Sequence, residues 1–173
     1  MNQIKLVVLD VDGVMTDGKK YYTREGKIVM KQFCDKDWTA IKRFKAMNIP
    51  VIFLTGDTFN QAVADKRDIE TIISKTEKHK VIADLITRFK ITYNQIAYVG
   101  DDIYDIQVMK QLKYAFCPMD VPDIVEKECT VLQVRGGDNV VVALFQELEE
   151  QKLIAIPDID AHIEKVYDQE NRS

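Results

Sequence analysis

The chain has few of the residues on which several common chemistries depend. Its 173 residues include three cysteines, Cys34, Cys117 and Cys129, an odd number with no C-x-x-C spacing. That excludes a disulfide framework and a zinc site, and it fits reduced, mostly buried thiols. His79 and His162 are the only histidines, too few for a His-rich metal site or a Ser-His-Asp triad. No apolar run approaches the roughly 18 residues of a membrane span. The N-terminus lacks a signal peptide's long apolar region and small-residue cleavage site. A cytoplasmic protein with no membrane partner is expected. Lys and Arg are dispersed and the net charge is −4, which leaves no electrostatic footprint for nucleic acid. Internal repeats and low-complexity stretches are also absent.

The remaining composition, 46% hydrophobic and 30% charged, is that of a globular chain. Its length suits one domain over residues 1–173. Short apolar runs at 4–9, 51–54, 96–99 and 114–117 alternate with amphipathic segments at 37–47, 59–66, 78–89, 103–111, 121–126 and 139–151. Strand and helix in alternation imply an α/β fold, a doubly wound, Rossmann-like parallel sheet with helices on both faces. Residues 19–33, KKYYTREGKIVMKQF, break the rhythm and read as two short strands around a Glu25-Gly26 turn. They predict a small hairpin flap after the first strand, with no separate cap domain. Residues 154–173 read as a polar tail with a short helix over 158–167. The site should be open unless another subunit covers it.

The segment LVVLDVDGVMTDG carries the strongest chemical signal. Residues two apart on an extended strand share a side, so Asp10 and Asp12 project together from the strand's end. Four consecutive apolar residues before them argue for a buried central strand. Two like charges persist there where a cation neutralises them, and carboxylate oxygens suit Mg²⁺. In an open parallel sheet, ligands bind beyond the carboxyl ends of the strands. Thr55-Gly56-Asp57 follows one apolar run, and Gly100-Asp101-Asp102 follows another, with Asp105 a turn later. Lys78 and Lys80 open the helix between them. Singly these are an ordinary turn, an acidic loop and a solvated helix-end charge; their placement after successive strands carries the argument. Phosphoryl transfer uses such a set: a carboxylate nucleophile, a second carboxylate for proton transfer, a phosphate-binding hydroxyl, an ammonium and Mg²⁺.

The segments DVDGVMTDG, LTG, a lysine ahead of the next strand, and GDDIYD resemble the four signature motifs of haloacid dehalogenase superfamily phosphatases, over nearly the whole chain. The resemblance implies Asp10 as nucleophile and Asp12 as general acid/base that also offers the metal its backbone carbonyl. Thr55, with Gly13 and Gly56, would bind phosphate. Lys78, with Lys80 as the alternative, would balance charge. Asp101 would complete a Mg²⁺ set of Asp10, Asp12 and Asp101, supported by Asp102 and Asp105. More narrowly, the size, the hairpin, Lys31-x-Phe33 leading to Asp37, and Arg135-Gly136-Gly137 resemble the capless 3-deoxy-manno-octulosonate 8-phosphate phosphatases. That implies a phosphorylated sugar acid as substrate and a role in lipopolysaccharide biosynthesis. It also implies a homotetramer in which flap and tail complete a neighbouring site.

Close relatives of those enzymes act on nine-carbon sialic-acid-type 9-phosphates. The substrate shell departs from the octulosonate enzymes at Trp38 and Ala40, where they carry glycines beside the pocket, and at Asp57, where they carry arginine. Asn139 to Ala143 replaces their Gly-Ala-Val-Arg-Glu run. Trp38 and Asp57 are therefore expected to contact substrate. A receiver-type phosphoacceptor domain also combines acidic residues, Thr and Lys, but lacks a general acid two residues beyond its acceptor. A catalytically silent partner domain would not need Asp10, Asp12, Lys78 and Asp101 intact.

Overall fold

A computed structural model describes residues 3–156 and 158–171. The expected domain (1–173) and tail (154–173) therefore include Met1, Asn2, Pro157, Arg172 and Ser173, which lie outside the described residues. Strand β1 (Leu6–Leu9) is buried at every position. Its side chains alternate between two cores: Val7 and Leu9 face one, Leu6 and Val8 the other. A strand apolar at every residue is what a sheet covered on both faces requires. Strands β4 (Val51–Thr55), β6 (Ile96–Val99) and β7 (Tyr114–Cys117) are buried throughout for the same reason.

With β5 (Glu70–Ile73) and β8 (Thr130–Val131) they form a six-stranded parallel sheet, ordered β5-β4-β1-β6-β7-β8. The order reverses at β1, so the crevice opens at the end of the strand that carries the paired aspartates. Helices α1 (Asp35–Ala46), α2 (Phe59–Asp65) and α6 (Val140–Glu150) bury one sheet face. Helices α3 (Lys78–Phe89), α4 (Ile106–Met109) and α5 (Asp123–Glu126) bury the other. This is the doubly wound α/β fold that the alternation predicts. Among the described residues no helix is long and apolar enough to cross a membrane.

The hairpin pairs β2 (Tyr21–Tyr22) with β3 (Ile28–Met30), and Gly26 takes the positive φ, 79°, that its turn needs. Several boundaries differ from expectation. Edge strands β5 and β8 carry no continuous apolar run, because a strand exposed along one side does not need one. The helix expected over 103–111 splits into a 3₁₀ turn, Ile103–Asp105, and the single turn of α4. The helix expected over 158–167 is present and ends three residues later. Residues Ile159–Glu170 form a three-turn helix, α7, capped by Asp158, whose side chain accepts the Ala161 N–H at 3.1 Å. It docks on its own chain: His162 is buried against Phe145, and Lys42 of α1 pairs with Glu170.

One buried acid serves the fold. Asp37 of α1 is fully buried, and its Oδ1 accepts the backbone N–H groups of Val141 (2.8 Å) and Val142 (3.1 Å) at the start of α6. Those donors have no partner within their own helix. Burial pushes the Asp37 carboxyl up to about 6, so its ionised form is the costly one. Asp37→Ala is expected to lower stability by about 1–3 kcal/mol in urea unfolding, through the orphaned donors. Asp37→Asn keeps the Oδ1 acceptor but buries an amide NH₂ at the unpartnered Oδ2 position, so it should lose less than the alanine variant without matching the parent. Equal losses would contradict the cap.

Candidate active site

Beyond β1 the backbone runs through Asp10, Val11 and Asp12 to Gly13. Gly13 has φ 86°, and a Cβ there would sit 1.9 Å from Asp101 Oδ2, so only glycine lets this turn close on the Gly100–Asp102 loop. Asp10 lies at the centre of a buried charge cluster. Lys78, at the first position of α3, places its Nζ 2.7 Å from Asp10 Oδ2 and 2.6 Å from Asp105 Oδ1. Asp105 is fully buried and receives Tyr98 OH at 2.6 Å. Its second oxygen accepts the backbone N–H groups of Asp101 (3.0 Å) and Asp102 (3.1 Å), which fixes the acidic loop. Gly100 makes room for this: a Cβ there would lie 2.5 Å from Asp105 Cγ.

Asp10, Asp101 and Asp105 each offer an oxygen within 4.8 Å of the others. Three carboxylates face one ammonium, so the cluster carries excess negative charge. Burial, opposed by Lys78 and reinforced by Asp105, raises Asp10 to about 6. Burial, then the Asp10 and Asp105 carboxylates, push Asp101 up to about 8. Burial alone would lower Lys78, but its two carboxylate partners more than offset this and raise it. The ammonium is therefore fixed, while the carboxylates need further positive charge to ionise fully. A set of hard oxygen donors with unmatched charge fits a small divalent cation such as Mg²⁺.

Asp12 belongs to a second cluster. Its carboxylate points away from Asp10's partners, toward Lys31 Nζ at 2.7 Å, Lys20 Nζ at 3.4 Å and Asn60 Nδ2 at 3.2 Å. Asp57 Oδ2 meets Lys31 at 2.8 Å and Lys20 at 2.9 Å. These bonds overcome the effect of burial and hold the Asp57 carboxyl well below the usual carboxylate range. Thr55 Oγ1 accepts from Asn60 Nδ2 at 2.9 Å and from the Asp57 N–H at 3.3 Å. Its own hydroxyl hydrogen is left to donate.

The two clusters share one cavity of about 490 Å³, lined by Asp10, Asp12, Thr55, Gly56, Asp57, Lys78 and Asp101, with Lys20, Lys75 and Tyr104 at its rim. A larger hollow, about 1030 Å³, lies beside α1, α2 and the end of α7, and Asp10, Asp12 and Asp101 take no part in it. Asp102 lines the cavity and caps the following turn by accepting the Ile103 N–H at 2.6 Å. Lys80 points outward, 63% exposed, and pairs with Glu77, so geometry selects Lys78 of the two lysines.

Trp38 corrects the sequence reading. It lies in the core between Phe33 (5.3 Å between ring centroids) and Phe53 (6.1 Å), with the Arg67 guanidinium over its ring, and it does not line the cavity. An indole at this position of an amphipathic helix is drawn into the core. Ala40 is buried beside it. Sequence reasoning missed Asn60 and gave Lys31 no chemical role. Lys31 was visible only as part of the Lys31-x-Phe33 pattern, and Asn60 depends on the register of α2, which no motif marks.

No protein-family model matches the chain. The 3-deoxy-D-manno-octulosonate 8-phosphate phosphatase KdsC of Haemophilus influenzae is 31% identical over 159 residues, covering 90% of this chain and 86% of that protein. The solved cobalt-bound deoxy-D-mannose-octulosonate 8-phosphate phosphatase of the same organism superposes with a TM-score of 0.81 at 28% identity, over 93% of this chain and 97% of that one. A haloacid dehalogenase (HAD) superfamily protein from Legionella pneumophila shares the fold, with a TM-score of 0.84 at 21% identity, over 96% of this chain and 91% of that one. By sequence and fold the chain is a phosphoric monoester hydrolase that belongs to the 3-deoxy-D-manno-octulosonate 8-phosphate phosphatase family.

Proposed function

We propose that the chain hydrolyses the phosphate ester of a 3-deoxy-2-ulosonic acid, of the octulosonate 8-phosphate type, through a phosphorylated Asp10. The observation that carries this reading is that Asp10 and Asp12 open into one cavity while each is tied to a different lysine. Asp10 titrates near 6 and is ionised at neutral pH, as a nucleophile must be. Its oxygen bonds to phosphorus as the ester P–O bond breaks, and Asp12 donates a proton to the leaving oxygen. Asp12 then takes a proton from the water that splits the aspartyl-phosphate. Thr55 donates its hydroxyl to a phosphate oxygen, with backbone N–H groups near Gly13 and Gly56, and Lys78 offsets charge gathered around Asp10.

Asp10 and Asp101 would hold Mg²⁺ by side chain and Asp12 by its backbone carbonyl, with Asp105 and Asp102 behind them. When bound, the ion offsets the negative charge shared by carboxylates and phosphate. The cobalt-bound Haemophilus influenzae relative supports a divalent cation here. Asp57 stands where octulosonate enzymes carry arginine, and the second reading is a nine-carbon sialic-acid-type 9-phosphate, on which close relatives of those enzymes act.

The chain acts as one cytoplasmic domain over 1–173, with 19–33 as its flap, in a homotetramer. The hairpin leaves Tyr21, Tyr22, Val29 and Met30 each more than half exposed, an apolar surface suited to covering a neighbour's cavity. Helix α7 packs on its own α1, and in this reading the hairpin and the tail together complete a neighbour's site.

Two outcomes are expected. Across eight- and nine-carbon 2-keto-3-deoxy sugar acid phosphates, kcat/KM should peak on octulosonate 8-phosphate. A maximum on a 9-phosphate would select the second reading, and flat, low values would contradict both. The second outcome concerns pH. Folded Asp10 and Asp101 keep protons to about 6 and about 8, whereas unfolded carboxyls lose theirs near about 4. Raised folded values mean that metal-free stability falls as pH rises through this window. Protons also compete with the cation, so the gain in Tm from added Mg²⁺ should grow between pH 6 and 9. A gain independent of pH would contradict the assigned ligands.

A further inference from the structure

We propose that Lys31 is a positioning residue that holds Asp12 in its proton-transfer orientation; the inference rests on the general acid/base reading of Asp12. Lys31 follows β3, where the hairpin returns to the body of the protein, and its side chain is fully buried. A buried ammonium is costly unless each of its protons finds an acceptor. Here all three do: Nζ donates to Asp12 Oδ2 at 3.0 Å, to Asp57 Oδ2 at 2.8 Å and to Asn60 Oδ1 at 2.8 Å. With every donor used inside the protein and no part in lining the cavity, Lys31 acts on the reaction only through its partners.

Asp12 is the one among them with freedom to lose. Its side chain is 23% exposed at the cavity wall, and a short carboxylate there has several staggered orientations available. Lys31 Nζ (3.0 Å) and Asn60 Nδ2 (3.2 Å) both donate to Asp12 Oδ2 and together select one of them. Asn60 also donates to Thr55 Oγ1, so a single tether sets proton donor and phosphate-binding hydroxyl at a common spacing. Asp57 completes the arrangement as a counter-charge: it turns Lys31 inward and keeps Lys20 of the hairpin over the same spot. Its carboxylate therefore serves the tether first.

Misplacing a general acid hurts reactions in proportion to how much the leaving oxygen needs a proton. An alkoxide needs one and a nitrophenolate does not, and kcat/KM reports the step in which that group departs. In the full-length Mg²⁺-loaded protein, Lys31→Met should lower kcat/KM for octulosonate 8-phosphate by about 100-fold. For p-nitrophenyl phosphate the loss should be less than about fivefold. Should loss of the buried partner of Asp57 unfold that variant, Lys31→Met/Asp57→Asn removes both charges, keeps the acceptor for the Phe59 N–H, and should show the same selectivity. Equal losses on the two esters, or no loss on the alkyl ester, would overturn the inference. Asp12→Asn measured alongside separates the two claims. Selectivity in Asp12→Asn without selectivity at Lys31 removes the positioning role alone, and no selectivity in either removes the reading of Asp12 as proton donor as well.

Discussion

Ionised carboxylates held in a water-poor crevice must each be matched by positive charge, and this requirement shapes the whole catalytic edge. Strand β1 delivers Asp10 and Asp12 two residues apart, and the fold answers with two lysines from opposite directions. Lys78 comes from the start of α3 and reaches Asp10, while Lys31 comes from the end of the hairpin and reaches Asp12. Each lysine needs a second carboxylate to stay charged when buried. Asp105 supplies it for Lys78 and Asp57 for Lys31. The glycines follow from the same demand. Gly100 gives Asp105 its space, and Gly13 lets Asp101 approach Asp10.

The two clusters are electrically unlike, and the difference separates their chemistry. Around Asp12, two carboxylates meet two ammonium groups, so the network is balanced and oriented. Around Asp10, three carboxylates meet one ammonium; burial first, and the neighbouring carboxylates after it, raise Asp10 to about 6 and Asp101 to about 8. Surplus negative charge from hard oxygens suits a divalent cation and, with it, a phosphoryl group. The balanced side suits a proton shuttle, whose carboxylate must stay in place. That division follows from which lysine each aspartate meets, and it turns a pair of adjacent identical residues into two roles.

Much of this was legible in the sequence, and the limits have physical causes. Strands buried on both faces are written as unbroken apolar runs, so β1, β4, β6 and β7 were visible. Edge strands β5 and β8 need no such run and were not. Asp10, Asp12, Thr55, Lys78 and Asp101 follow strand or helix ends, where topology alone brings them together. Lys31 and Asn60 meet Asp12 only because the hairpin folds back and α2 presents one particular register, a tertiary coincidence that no local pattern announces. Trp38 shows the converse error: a substitution beside a motif drew attention to the pocket, whereas burial of an indole draws it into the core. The tail's helix was legible over 158–167 and runs on to Glu170, whereas the few residues that dock it, His162 among them, are sparse in sequence and decisive in packing.

Asp10 carries the phosphoryl group in the proposed reaction. Borohydride added to an acid-quenched turnover mixture reduces an acyl phosphate to an alcohol, and peptide mass spectrometry locates the reduced side chain. Reduction at Asp10, dependent on both substrate and Mg²⁺, is the expected result. Reduction at another carboxylate, or none during a burst of product release, would contradict it.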